Sequence, residues 1–204
     1  MKYAELSLEK LRETSISMAN TIKSKHEVDL IVFVAKAGFA IAYYMNEVFN
    51  VPLLGVEAHR KGNGLKAKLS PILAYLPCWL KDILRVIELK SNLHCKCADR
   101  SVNFFPAISE IDTCKCKKIL LVDDSVDTGN SMKAVYELVA KTFANASIIS
   151  YSLNVWEQSK VLFDTDYYTY LNTIIRTPMS KDSKEYDTFI NLYEQLNAIS
   201  NSKI

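Results

Sequence analysis

Three aspartates and a run of small polar residues lie close together in the middle of the chain. The acids are Asp123, Asp124 and Asp127, and the polar run is Thr128-Gly129-Asn130-Ser131. Carboxylates accept hydrogen bonds from sugar hydroxyls or bind a metal ion. A helix that begins in the polar run would offer free backbone N–H groups to a phosphate. A site that takes both hydroxyls and a phosphate is a sugar-phosphate site.

The elements around these residues are predicted from hydrophobic patterning. Residues 119–122 are all apolar, which is typical of a parallel strand that is covered on both faces. The two adjacent acids follow at the carboxyl end of this strand, and a helix is predicted from Ser131 to about Phe143. In open α/β sheets, ligands bind beyond the carboxyl ends of the strands. The pattern therefore predicts a binding site at residues 123–131.

A second turn of the same kind comes earlier in the chain. Residues 30–34 predict a buried strand, a helix runs to about Phe49, and residues 53–56 predict the next strand, which makes a βαβ unit. The turn after the first strand is Ala35-Lys36-Ala37-Gly38. Its small residues let the backbone approach an anion and Lys36 adds positive charge; alternatively, it is a packing turn with a solvated lysine.

The strand, the two acids, the spacer with a third acid and the Thr-Gly-x-Ser run together resemble the binding motif of type I phosphoribosyltransferases for 5-phosphoribosyl 1-pyrophosphate (PRPP). The alternative is an acidic turn that matches by chance. The resemblance implies an α/β fold with a central parallel sheet flanked by helices, a small hood from the termini and a long helical insertion. It also implies displacement of pyrophosphate from C1 of PRPP.

The resemblance assigns roles to individual residues. Thr128, Gly129, Asn130 and Ser131 would hold the 5-phosphate, and Asp123 and Asp124 would bind the ribose hydroxyls. Asp127 would be the general base near the acceptor nitrogen. Ala35-Lys36-Ala37-Gly38 is similar to the pyrophosphate loop of the family. Mg²⁺ would be carried mainly by the pyrophosphate, so Asp123 and Asp124 would contact it indirectly.

A cationic, glycine-rich stretch follows the predicted strand 53–56. Residues 57–64 predict a mobile loop. In the family, a flexible loop at this place closes over the active site, which would bring Arg60 to the pyrophosphate oxygens.

Residues 58–100 are predicted to form an inserted segment. Its apolar residues recur at helical spacing among several lysines and arginines. One interpretation is that the segment packs on the core or forms a dimer surface. The other is that residues 65–90 form a basic amphipathic stretch that rests on a membrane surface.

The carboxyl-terminal part is similar to that of xanthine-guanine and hypoxanthine-guanine phosphoribosyltransferases. There an aromatic residue stacks on the purine, and here Ile174 takes its place, so Ile174, Ile175 and Arg176 are the candidate acceptor-binding residues. Over the whole chain the resemblance is stronger to phosphoribosyltransferase-like proteins encoded with surface-polysaccharide genes, which share the insertion and the ending Ile-Arg-x-Pro-x-Ser-Lys-Asp. Here that ending spans residues 175–182.

Length and composition set further limits. The chain has 204 residues, 49% of them hydrophobic and 24% charged, which predicts a single globular domain over residues 1–204. A net charge of +2 is too balanced to favour nucleic acid as a partner. No stretch is long enough for a membrane-spanning helix, and the first twenty residues contain no secretory pattern. We therefore expect a cytoplasmic protein, and a homodimer.

Four cysteines occur as two Cys-Lys-Cys pairs, Cys95 with Cys97 and Cys114 with Cys116. Cysteines two residues apart on a strand share a face, so two such strands could form a four-thiolate zinc site. The alternative is that they are small apolar residues that alternate with lysine on strands.

Three functions compete at this point. The first is nucleotide salvage, in which a nucleobase accepts the phosphoribosyl group. The second is transfer to a different small-molecule acceptor, such as an envelope glycan or lipid-linked precursor. The third is a regulator that binds PRPP without turnover.

Overall fold

The computed structural model of the protein describes residues 2–60, 100–105 and 111–202. Most of the predicted insertion, with the basic stretch 65–90, Cys95 and Cys97, lies outside these ranges. In chain order the elements are β1 (Lys2–Glu5), α1 (Leu8–Lys23), β2 (Leu30–Val34), α2 (Gly38–Phe49), β3 (Leu53–Arg60), β4 (Arg100–Phe105), β5 (Lys118–Val126), α3 (Asn130–Thr142), β6 (Ser147–Val155), a short 3-10 helix (Glu157–Val161), β7 (Tyr167–Leu171), β8 (Thr173–Arg176) and α4 (Tyr186–Ser202).

Six of the strands form the main sheet, in the order β4-β3-β2-β5-β6-β7. Every neighbouring pair is parallel except β3 and β4, which are antiparallel at the edge. The two predicted ligand-binding turns follow β2 and β5, which are adjacent in the sheet. Both turns therefore lie at the same edge, where the carboxyl ends of the parallel strands meet.

Two layers of helices explain why the central strands are apolar along their whole length. On β5, Leu120 and Val122 face a core shared with α1, α2 and α4, whereas Ile119 and Leu121 face a core shared with α3. All four residues are fully buried. A strand covered on both faces has no polar side, so the continuous apolar run correctly predicted a central parallel strand.

Helix α1 covers one face of the sheet, and its first residue is preceded by a serine, a residue type that favours helix starts. Ser7 is the N-cap, and its Oγ accepts a hydrogen bond of 3.1 Å from the backbone N–H of Lys10. The helix buries Leu11, Ser15 and Ile22, which recur at helical spacing and so share one face. None of the helices in the described ranges is long and apolar enough to cross a bilayer.

The first strand and the last strand of the chain pair in a separate two-stranded sheet, the hood. Strand β1 pairs with β8 in parallel, with Tyr3 opposite Ile174 and Glu5 opposite Arg176. The backbone N–H of Leu6 donates to the carbonyl of Arg176 at 2.9 Å and extends the pairing. The prediction of a hood from the termini is confirmed.

The predicted end of β3 at residue 56 is wrong. The strand continues through residues 57–60, where Glu57 pairs with Asn103 and Arg60 pairs with Arg100 of β4. Charged residues had suggested a loop, but the partner strand β4 satisfies their backbone groups through contacts distant in sequence. The predicted mobile loop therefore does not begin at residue 57, and residues 61–64 lie outside the described ranges.

The second cysteine pair does not lie on a strand. Cys114 and Cys116 belong to a turn that precedes β5, and this turn is organised by Asp112, whose Oδ1 accepts from the backbone N–H of Cys114 at 3.1 Å. Cys114 is exposed and Cys116 is buried, and burial raises the pKa of the Cys116 thiol. Within the described ranges no cluster of His, Cys, Asp or Glu is suited to hold a metal ion.

Candidate functional site

Asp123 and Asp124 lie within β5 rather than after it, and Asp127 directly follows the strand. The strand was predicted to end at Val122, but it runs on to Val126 because its pairing with β6 continues, with Asp123 opposite Ser152 and Ser125 opposite Asn154. Asp123 is consequently only 5% exposed, although it lies near the carboxyl end of the sheet. The strand thus holds the carboxylates on a rigid backbone.

Asp123 is in an environment that disfavours its negative charge. Burial raises the pKa of Asp123 well above the ordinary value, and the carboxylates of Asp124 and Asp127 raise it further. The backbone N–H of Asp124 donates to Asp123 Oδ1 at 2.8 Å, which opposes the shift in part. A ligand that brings hydrogen-bond donors or positive charge would relieve this cost, as ribose hydroxyls or a bound cation would.

The polar run after Asp127 forms a tight turn into α3. Gly129 is the N-cap residue with φ of +81°, a left-handed conformation that glycine adopts without steric cost. A Cβ atom at this position would lie 3.0 Å from the carbonyl oxygen of Ser159. The turn is therefore packed directly against the 3-10 helix that follows β6.

This turn offers hydrogen-bond donors to an anion. Helix α3 begins at Asn130 without a side-chain cap, so its first backbone N–H groups are available to a ligand. The side chain of Asn130 donates to Thr128 Oγ1 at 3.1 Å, which leaves the hydroxyl proton of Thr128 to point elsewhere. The geometry suits a phosphate.

One pocket brings Asp123, Asp127 and this turn together, and Asp124 is not among its lining residues. Its walls are formed by residues of the end of β5, the turn and the start of α3: Asp123, Ser125, Val126, Asp127, Thr128, Gly129, Ser131 and Met132. Asp127 lies at this pocket with its Oδ1 accepting a hydrogen bond of 2.7 Å from Ser125 Oγ. Two carboxylates and residues of the polar turn thus line the same cavity.

The turn after β2 packs against the same strand. Ala35 continues the sheet through its backbone N–H, which donates to the carbonyl of Val56 at 2.9 Å, and the Ala35–Lys36 peptide bond is cis. A Cβ atom at Gly38 would lie 2.9 Å from the carbonyl oxygen of Val122 and 3.4 Å from Asp123 Cα. The second predicted anion site is therefore in contact with the acidic strand.

Lys36 and Arg60 were both predicted to meet the pyrophosphate. Lys36 is exposed, and its Nζ lies 5.4 Å from the ring centroid of Tyr193 on α4. The backbone of Arg60 ends β3, but its side chain is outside the described part of the chain.

The candidate acceptor residues lie on β8, in the hood. Ile174 is 9% exposed and Ile175 is buried in the core that includes α4. The guanidinium of Arg176 is paired with Asp182 at 3.3 Å and Glu5 at 4.0 Å, and it lies 5.7 Å from the ring centroid of Tyr3. These residues do not belong to the described walls of the pocket around Asp127.

Two features of the site were not predicted from the sequence. Ser125, the hydrogen-bond donor to Asp127, is a hydroxyl two residues before the predicted base, and that spacing was the available signal. Tyr3 is 52% exposed and lies opposite Ile174 in the hood. The sequence could not predict this pair, because it depends on the register between β1 and β8.

Comparison with solved structures supports the architecture. A purine phosphoribosyltransferase from Pyrococcus horikoshii superposes with a TM-score of 0.61 at 17% identity, covering 90% of this chain and 97% of that one. A xanthine-guanine-hypoxanthine phosphoribosyltransferase from Helicobacter pylori gives 0.63 at 16% identity, covering 91% and 99%. A hypothetical protein from Neisseria gonorrhoeae with bound ppGpp gives 0.59 at 13% identity, covering 95% and 97%. At these identities the likeness shows the shared fold.

Sequence comparison identifies the family. No curated protein sequence matches the chain closely enough to count as a relative. The model of the phosphoribosyl transferase domain matches residues 6–177, which include both turns, the acidic strand and β8. The chain therefore belongs to the phosphoribosyl transferase domain family and is a transferase with the type I phosphoribosyltransferase fold.

Proposed function

We propose that this transferase moves the 5-phosphoribosyl group of PRPP to a nitrogen of a nucleobase and releases pyrophosphate. The main support is that Asp123, Asp127 and the turn at residues 128–131 line one pocket, because a phosphate site and two carboxylates match the parts of a sugar phosphate. The turn after β2 supplies a second anion site in contact with the same strand.

Each part of PRPP has a group to bind it. The 5-phosphate is held by Thr128, the backbone N–H groups of Asn130 and Ser131, and the close backbone at Gly129. The ribose hydroxyls donate to Asp123 and Asp124, whose negative charge also stabilises the cation-like C1 in the transition state. The leaving pyrophosphate lies against Ala35-Lys36-Ala37-Gly38, where Lys36 offsets its charge, with Arg60 as a second cation.

The reaction exchanges one bond at C1 for another. The bond between C1 and the pyrophosphate oxygen breaks, its electron pair leaves with the pyrophosphate, and the acceptor nitrogen forms a new bond to C1. The acceptor loses a proton as this happens, and Asp127 takes it as the general base. Asp127 lies in the pocket beside the phosphate turn, where a base can reach an acceptor near C1.

The family generally uses Mg²⁺ with PRPP, and the residues here fit an ion that is carried by the substrate. Asp123 and Asp124 are adjacent carboxylates, one of them buried, and carboxylate oxygen is the ligand type that Mg²⁺ prefers. They would contact the ion indirectly. When bound, the ion would neutralise negative charge on the pyrophosphate.

A feature of the hood favours a planar acceptor. Ile174 is buried and has no aromatic face, but Tyr3 lies opposite it on β1 and is half exposed. The hood begins beside the site, because the backbone N–H of Thr173 donates to Asn154 Oδ1 at 3.4 Å and Asn154 is paired with Ser125. An acceptor that reaches the hood would meet the Tyr3 side chain, and an aromatic ring suits a stacked base. Transfer to an envelope glycan or lipid-linked acceptor is the second candidate, and its support, the basic stretch 65–90, lies outside the described residues.

The deciding experiment follows pyrophosphate release from PRPP and Mg²⁺ with a panel of nucleobases and glycan-lipid acceptors. We expect release with at least one base and none with the glycan lipids. Release only with a glycan-lipid acceptor would establish the second candidate. If no acceptor supports release while PRPP still raises the Tm, the protein is a PRPP-binding regulator and the proposed transfer is wrong.

We further propose that the protein works as a cytoplasmic homodimer. Light scattering coupled to gel filtration tests the dimer, and a monomeric mass would contradict it. Sedimentation with anionic vesicles tests membrane contact through residues 65–90.

A further inference from the structure

Ser125 and Asp127 are joined by a hydrogen bond inside the pocket. Ser125 Oγ donates to Asp127 Oδ1 at 2.7 Å, a short distance typical of a bond between a hydroxyl and a carboxylate. Both residues line the pocket and both are partly buried. In the part of the chain that the structure describes, Asp127 Oδ2 receives no hydrogen bond.

The donor is held on a rigid element. Ser125 is paired with Asn154 of β6, and the next residue, Val126, is buried and accepts a hydrogen bond at 3.0 Å from the backbone N–H of Trp156. Because the sheet fixes the backbone on both sides of Ser125, its hydroxyl presents a stable direction to the carboxylate.

The backbone of Asp127 has a separate support. Gln158 Nε2, from the 3-10 helix after β6, donates to the carbonyl oxygen of Asp127 at 3.3 Å. The same helix packs against Gly129, where the Ser159 carbonyl approaches the turn. The main chain of residue 127 is thus restrained by its neighbours, whereas the direction of its carboxylate depends on Ser125.

We propose that Ser125 is a positioning residue, which holds Asp127 by Oδ1 and leaves Oδ2 to take the proton of the acceptor. This inference rests on the proposed function, in which Asp127 is the general base. Without the hydroxyl, the carboxylate is free to turn about its side-chain torsions, and fewer encounters between Oδ2 and the acceptor proton are productive. The groups proposed above to bind the ribose and the phosphates of PRPP do not include the Ser125 hydroxyl.

The positioning role of Ser125 changes no bond in the transfer step described above. The acceptor N–H proton moves to Oδ2 while the nitrogen bonds to C1 and the pyrophosphate departs with its electron pair. The hydrogen on Ser125 Oγ stays on the serine throughout. Ser125 therefore forms no bond to the substrate and acts through Asp127 alone.

The test uses a matched pair of variants, Ser125→Thr and Ser125→Val. Their side chains have the same shape and both suit a strand, but only threonine keeps the hydroxyl. With the base that supports release in the wild type, we expect Ser125→Val to lower kcat about 10- to 100-fold. We expect the KM for PRPP to stay within about twofold, and Ser125→Thr to retain most of the wild-type kcat.

The control is Ser147→Ala, which removes an exposed hydroxyl that bonds the Lys117 carbonyl at the other end of β6 and should leave kcat unchanged. Equal kcat in Ser125→Thr and Ser125→Val would overturn the proposal, because the hydroxyl would then be irrelevant. A loss in Ser125→Val that appears as a higher KM for PRPP would also overturn it and make Ser125 a substrate-binding residue.

A structural measurement separates this inference from the proposed function. A crystal structure of Ser125→Val should show the Asp127 carboxylate turned away from its wild-type direction, and an unchanged carboxylate would overturn the positioning role. If the wild type releases no pyrophosphate with any acceptor, the proposed function fails, and the crystal structures alone then decide whether Ser125 orients Asp127.

Discussion

The loop at Gly38 touches the acidic strand at Val122, one residue before Asp123. A Cβ atom at Gly38 would lie 2.9 Å from the Val122 carbonyl oxygen, closer than real Cβ atoms approach backbone oxygens. This contact would set the spacing between the two proposed anion sites, because one follows β2 and the other follows β5. A molecule with phosphates at both ends of a ribose needs that spacing.

Gly38→Ala should therefore weaken PRPP binding. The added methyl group pushes the loop at residues 35–38 away from β5 and misplaces the site for the pyrophosphate. We expect the Kd for PRPP, measured by calorimetry with Mg²⁺, to rise about tenfold or more. Ala42→Gly, in the buried part of α2, is the control, because it should cost about 1 kcal/mol of stability and leave the Kd unchanged. Equal affinity of Gly38→Ala and wild type would contradict the contact.

Gly129→Ala should affect both stability and phosphate binding. The positive φ of +81° costs an L-residue about 1–2 kcal/mol, which for a chain of this size corresponds to a fall in Tm of roughly 2–8 °C. The new Cβ would also lie 3.0 Å from the Ser159 carbonyl and shift the turn that we propose binds the 5-phosphate. Calorimetric scans and titration with ribose 5-phosphate measure the two effects.

Gly129→Asn separates these two causes. Asparagine tolerates a left-handed conformation better than alanine does, but it brings the same Cβ atom. We expect Gly129→Asn to be more stable than Gly129→Ala and to bind ribose 5-phosphate just as weakly. If Gly129→Asn binds as tightly as wild type, the approach to Ser159 does not control the phosphate site.

Asp123→Asn should make the unliganded protein more stable at neutral and basic pH. Burial and the charges of Asp124 and Asp127 raise the pKa of Asp123 well above its value in the unfolded chain, about 3.9. Between these two pKa values the folded state binds more protons than the unfolded state, so stability falls as pH rises through that window. Asparagine removes the ionisable group, so the variant does not lose this part of its stability as pH rises.

Tm measured from pH 4 to pH 8 without ligand checks this sign. The Tm of Asp123→Asn should exceed that of wild type at pH 8, and the difference should shrink toward pH 4, where Asp123 is protonated in the folded state and only about half ionised in the unfolded chain. A difference that is independent of pH would contradict the assignment.

The same variant should bind PRPP more weakly, because an amide is a poorer acceptor for two hydroxyl groups; unchanged binding would remove Asp123 from the ribose site.

Much of this fold could be predicted because its signals are local. The apolar run before Asp123, the small polar run after Asp127 and the similar pattern around Gly38 placed both turns at strand ends, and β2 and β5 are neighbours in the sheet. The hood was predicted from the family resemblance. Patterns of this kind depend on which faces of an element are buried, and the sequence carries that information directly.

The errors came from contacts between residues distant in sequence. Residues 57–60 are polar enough for a loop, and only the pairing with β4 makes them a strand. β5 runs past its acids because β6 continues beside it. The Cys114 turn depends on one side chain, that of Asp112, and the partnership of Ser125 and Asp127 depends on side-chain torsions. Hydrophobic periodicity carries no information about these strand pairings and side-chain hydrogen bonds.

Lys36 should contribute positive charge to the proposed pyrophosphate site, because it belongs to the turn after β2. Its ammonium group lies over the ring of Tyr193. The ammonium group lies 5.4 Å from the ring centroid, and Tyr193 is itself buried against Phe39 with ring centroids 5.0 Å apart. The ring therefore gives the exposed lysine a weak cation–π contact, which favours one direction of its side chain.

Lys36→Met keeps the length of the side chain and removes its charge. We expect the Kd for PRPP to rise about tenfold at low ionic strength, with a smaller difference at 1 M salt, because salt screens an exposed charge. Tyr193→Phe is the matched control: it keeps the ring beneath the ammonium, so its Kd should equal that of wild type. Equal affinity of Lys36→Met and wild type at low salt would mean that Lys36 only covers Tyr193. A salt-dependent loss confined to Lys36→Met would instead place its charge beside the leaving group.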